Sequence, residues 1–97
     1  MLEPTTVHTL VHHPLIERFA IECDGHRLGY LSYTLERRRT MTIDVVCAPV
    51  SDALEMSDRL LTSAIAWGRD NGYTVLGFCP PAQEFLRRER TPQSVAA

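Results

Sequence analysis

The side chains of this 97-residue chain with the most obvious chemistry are few: a cysteine followed by two prolines (Cys79, Pro80, Pro81), acids at Asp52, Glu55 and Asp58, and histidines at 8, 12 and 13. A cysteine becomes a nucleophile as its thiolate, which partial exposure and a nearby helix N-terminus favour. A short helix expected at residues 82–88 starts just beyond Cys79, and the competing fate of a free cysteine is to pack as a small apolar residue. Asp52, Glu55 and Asp58 cluster where a longer helix should begin. Acids in a first helical turn stabilise the helix dipole by about 0.3–1 kcal/mol each, with no ligand needed. His8 and His12 share a face of an expected strand, but four strand residues span about 13 Å, too far to hold one ion, so no metal site is expected. Glu22 reads as a solvated strand carboxylate. Arg37, Arg38 and Arg39, and Arg87, Arg88 and Arg90, read as solvated basic runs that an acidic group could contact.

Alternation of apolar residues places the elements that hold these groups. Residues 6–11 read as a short strand ended by Pro14, which lacks a backbone donor. Residues 17–23 carry Phe19, Ile21 and Cys23 on one face. Asp24-Gly25 is a strong hairpin signal, because both residues tolerate positive φ. Residues 26–35 return with Leu31, Tyr33 and Leu35 on one face; Gly29 falls on that face and marks a bulge or a close backbone approach. After the polar turn at 36–39, Met41, Ile43, Val45 and Cys47 alternate along a strand that Pro49 ends.

A helix follows, capped by Ser51 or Ser57. Leu54, Leu61, Ile65 and Gly68 form its apolar stripe, with Leu60, Ala64 and Trp67 beside it, and Asn71-Gly72 stops it. Residues 73–78 form an unbroken apolar strand suited to burial on both faces. Pro80-Pro81 opens the last helix. The tail from Thr91 is expected to be loose.

One domain accommodates this length. The formal charge of −2 gives no overall attraction to nucleic acid or anionic lipid. No apolar run reaches the roughly 18 residues of a membrane span. The first residues lack the basic and apolar blocks of a signal peptide. Three widely spaced cysteines read as free thiols in a reducing cytoplasm.

The order β-β-β-β-α-β-α, the Asp24-Gly25 hairpin, the run Gly29-Tyr30-Leu31-Ser32-Tyr33 and the run Phe78-Cys79-Pro80 together resemble the GNAT acetyltransferase superfamily. The likeness is to its small stand-alone members, over roughly residues 7–90. It implies a single α/β (α+β) domain with a GNAT-like mixed sheet, in which the strands flanking the long helix run parallel. It also implies acetyl-CoA as cofactor and an amine, on a small molecule or a protein, as acceptor. In that family the strand-to-helix turn usually reads Arg/Gln-x-x-Gly-x-Gly/Ala and cradles a pyrophosphate with backbone N–H groups at a helix start. The matching positions here are Asp52, Ala53, Leu54, Glu55, Met56 and Ser57, with Val46 and Cys47 on the strand that leads into them. Asp52 stands where the family often has a cation, and Ala53, Glu55 and Ser57 replace the glycines. Acetyl-CoA is therefore expected to bind weakly.

The resemblance also implies roles for two side chains. Asp44 occupies the position where the small members usually show a histidine, which makes it a candidate base. Cys79 occupies the position of a cysteine suspected in acyl transfer. The implied activity is acetyl transfer to an amine, weakened or lost. The alternative is a non-catalytic module that keeps the fold to bind another molecule.

Overall fold

The computed structural model describes residues 8–49 and 53–90. Five strands form one sheet in the order β1-β2-β3-β4-β5. They are β1 (Thr9–His13), β2 (Arg18–Cys23), β3 (His26–Glu36), β4 (Thr40–Cys47) and β5 (Thr74–Gly77). The first four pair antiparallel, and β5 pairs parallel to β4 through the crossover helix α1 (Ala53–Asp70). A second helix, α2 (Pro80–Arg90), closes the chain. The expected succession of four strands, helix, strand and helix is observed, in a mixed α+β domain. Among the described residues no helix is long and apolar enough to cross a membrane.

Both helices lie on one face of the sheet. Val75 and Gly77 point the same way along β5. A Cβ built on Gly68 of α1 would lie 3.0 Å from Val75 Cγ2, and one on Gly77 would lie 2.9 Å from the backbone of Ala82 and Gln83 in α2. The core forms between this face and the helices, from Phe19, Ile21, Leu31, Tyr33, Met41 and Ile43 below and Met56, Leu60, Leu61, Ala64 and Ile65 above.

Several boundaries differ from expectation for local reasons. The first strand continues to His13, which pairs with Arg18, and only Pro14 breaks the ladder into a one-turn 3-10 helix; residues 6 and 7 lie outside the described residues. Glu17 leaves the second strand: it turns left-handed at φ 54°, and its carboxylate accepts the Leu35 N–H at 3.1 Å. Ser57 lies inside α1 and does not cap it; Ser51 and Asp52 lie outside the described residues. The prolines form the first turn of α2 rather than preceding it. Arg39 is not merely solvated: its guanidinium donates to the Asn71 and Gly72 carbonyls at 2.7 and 3.3 Å, closing the C-terminal end of α1.

Three apolar patterns are corrected. First, Val45 and Cys47 do not share the face of Met41 and Ile43. Tyr33 pairs with Ile43, but Ser32 pairs with Val45, so Asp44 is an extra residue in a β-bulge. Beyond it the alternation reverses: Val46 packs against the core, while Val45 and Cys47 are exposed. Second, β5 is buried on one face only, with Val75 at 8 % exposure and Leu76 at 45 %. It is an edge strand, and among the described residues no helix covers its other face. Third, Leu54 is 72 % exposed whereas Met56 is 3 % exposed. Leu54 keeps its phase with Leu61, but it lines the open groove between the helices and does not join the core.

Candidate functional site

The site is organised by the parting of two strands. Parallel pairing of β4 with β5 runs only from Thr40↔Thr74 to Ile43↔Gly77. One more bond, from Phe78 N–H to the Ile43 carbonyl at 2.9 Å, closes the ladder. The bulge at Asp44 turns β4 away there. The backbone groups of Val45, Val46 and Cys47 that point toward β5 therefore have no strand partner in the described sheet. Gly29 holds this end of β4 close: a Cβ there would lie 2.9 Å from the Cys47 carbonyl, so the expected close approach is observed.

On the helix side of the sheet, α1 and α2 flank an open groove of about 330 Å³ that is lined by helix residues alone. Ala53, Leu54, Ser57 and Leu61 line one wall, and Pro81, Glu84 and Arg88 the other, with Asp58 at the rim. The groove gathers three of the residues expected at a phosphate loop. Glu55 is exposed, Met56 belongs to the core, and Asp52 lies outside the described residues. Arg88 stands 3.6 Å from Asp58 and 3.9 Å from Glu84, so the groove carries one cation and two carboxylates.

The two candidate catalytic side chains lie on opposite sides of the sheet. Cys79 is half-buried against the core on the helix side, and its carbonyl accepts the Gln83 N–H at 3.0 Å. Cys79 immediately precedes Pro80, the first residue of α2. Asp44 projects to the uncovered face, where it accepts a 2.6 Å hydrogen bond from the Thr34 hydroxyl.

A polar pair inside an aromatic cluster was not anticipated from sequence. His12 Nε2 and the Tyr33 hydroxyl are 2.7 Å apart. The His12 ring stacks on Phe19 with centroids 3.9 Å apart and planes 5° from parallel, and Trp67 meets it edge-on at 4.7 Å. Burial, reinforced by His13, lowers the His12 pKa. Burial first, then Glu17 and Tyr73, pushes Tyr33 up to about 12. The signal was present: His12, Phe19 and Tyr33 fall on inward positions of neighbouring strands, but the pairing of β1 with β2 had to be known.

This pair predicts the pH dependence. The folded state holds Tyr33 neutral, so its contribution to stability is complete below the unfolded value of about 10 and is lost as pH rises toward 12. His12 works at the other end, its contribution complete above about 6.5 and lost as pH falls below that value. Chemical denaturation across pH should show both flanks. Tyr33→Phe should abolish the alkaline one; an unchanged alkaline flank in that variant would refute the assignment.

No family model, no curated protein and no solved structure matches this chain. The functional reading therefore rests on geometry and on the sequence resemblance.

Proposed function

We propose that the chain is a GNAT-type acetyltransferase-like domain that transfers an acetyl group from acetyl-CoA to an amine, with affinity for the cofactor reduced by acids at the start of α1. The observation that carries this reading is the parting of β4 and β5 at Asp44, in a domain whose two helices flank an open groove on one side of the sheet. The groove suits an apolar pantetheine arm, and Arg88 is its cation for phosphate. Asp58 and Glu84 oppose phosphate: a carboxylate within about 5 Å of it repels by roughly 1–3 kcal/mol at an effective dielectric of 20–60. Acetyl-CoA supplies an acetyl group activated as a thioester.

The chain's own groups supply the rest. The N–H groups of β4 beyond Ile43 that lack a β5 partner in the described sheet would polarise a carbonyl oxygen lying between the strands. Asp44, held by Thr34, takes a proton from the attacking amine on the uncovered face. Cys79, across the sheet beside α2, is a candidate proton donor to the leaving thiolate or an acyl carrier.

A second reading, a non-catalytic binding module, is favoured by Leu54 and Phe78, each 72 % exposed beside this site. Calorimetric titration with acetyl-CoA separates the two. The enzyme reading predicts saturable binding with a dissociation constant on the order of 0.1 mM or weaker, together with slow acetylation of amines. No saturable binding leaves the module; low-micromolar binding would show that the acids do not weaken the site.

A further inference from the structure

The face of the sheet opposite the helices carries a cluster that the acetyl-transfer reading does not use. Ala20 of β2 pairs with Tyr30 of β3, and Tyr30 with Cys47 of β4. Two arginines reach the Tyr30 ring: Arg18 Cζ lies 4.8 Å from the ring centroid and Arg27 Cζ 5.1 Å. A ring face attracts a guanidinium but accepts none of its N–H bonds conventionally.

Among the described residues neither Arg18 nor Arg27 has a hydrogen-bond acceptor or a carboxylate partner, and the Arg18 Nε is shielded from solvent with its donor unmet. Glu22 faces Arg27 across the strands, yet its carboxylate lies 3.7 Å from His13 Nε2. The patch therefore gathers two unneutralised guanidinium groups, one buried donor without an acceptor and a phenol hydroxyl.

We propose that Arg18, Arg27 and Tyr30 form a binding site for a phosphoryl group on the uncovered face of the sheet. Two planar guanidinium groups offer paired N–H bonds that match phosphate oxygens. A dianion also relieves the repulsion between two cations held against one ring. A single carboxylate neutralises only one of them, which favours phosphate over carboxylate. The site is separate from the α1–α2 groove, which lies on the other side of the sheet, and it does not depend on the acetyltransferase reading.

The test is titration of the isotope-labelled full chain with inorganic phosphate at constant ionic strength, following the arginine Nε–H signals by NMR. The Arg18 and Arg27 signals should move saturably, with a dissociation constant on the order of 1 mM. Arg27→Gln, a change at an exposed residue, and Arg18→Gln should each weaken binding by at least about tenfold, while Arg18→Lys retains part of it. Arg88→Gln, in the helix groove, should leave it unchanged. The proposal falls if no saturable shift occurs below about 50 mM, if the Gln variants bind as the parent does, or if Arg88→Gln removes the binding. Acetate binding as tightly as phosphate would overturn the phosphoryl assignment.

Discussion

Asp52→Arg, Glu55→Gly and Ser57→Gly, introduced together, are expected to raise the affinity for acetyl-CoA by roughly 30- to 1,000-fold, or about 2–4 kcal/mol. Two repulsive charges leave, one cation arrives, and the glycines let backbone N–H groups approach a pyrophosphate at the start of α1. Ser57 already lines the groove between the helices, and Glu55 is exposed in the same first turn. The variant should lose about 1–2 kcal/mol of stability, since two glycines enter a helix and favourable N-terminal acids leave it. Calorimetry on the folded variant decides. If it binds acetyl-CoA no better than the parent, the correspondence of residues 52–57 with a phosphate loop is wrong.

Gly77→Ala should destabilise the domain by about 1–3 kcal/mol. For a domain of this size that lowers Tm by roughly 5–20 °C. The added Cβ would lie 2.9 Å from both the Ala82 carbonyl carbon and the Gln83 nitrogen, and 3.0 Å from Ala82 Cβ. Ala82 is fully buried, and the clash is with helix backbone, so α2 must move away from β5. Because α2 forms one wall of the groove, acetyl-CoA binding should weaken with stability. Gly25→Ala is the useful comparison. Nothing lies within 4 Å of its Cβ position, and its cost, about 1–2 kcal/mol, comes only from φ +79° in the hairpin turn. Thermal melts of the two variants separate a packing defect, which disturbs the groove, from a backbone defect, which does not. A Gly77→Ala protein with the parent's Tm would mean that α2 does not press on the end of β5 as described.

Much of the architecture was legible along the chain because it depends on local chemistry. Alternating apolar residues produced β2 and β3, and Asp24-Gly25 produced the turn between them, with both residues at positive φ. Of the stripe Leu54, Leu61, Ile65 and Gly68, all but Leu54 lie on the buried side of α1, as do Leu60 and Ala64 beside it, and Asn71-Gly72 marked its end. The identities of Cys79 and Asp44, and the acids of the α1 start, were also readable, since they are properties of single positions.

Only the tertiary structure decided where these groups lie relative to one another. A bulge costs one residue of register and reverses every side chain beyond it. Nothing in the sequence 41–47 distinguishes Asp44 as that extra residue, so Val46 and not Val45 turns inward, and β4 leaves β5 at that point. Apolar content alone also cannot tell a central strand from an edge strand. Residues 73–78 read as a strand buried on both faces, yet the exposure of the observed strand Thr74–Gly77 depends on both helices docking on one side. The pairing of His12 with Tyr33 and the gathering of Arg18 and Arg27 at Tyr30 join residues of different strands. Such contacts are set by strand register, a long-range property that no local pattern contains.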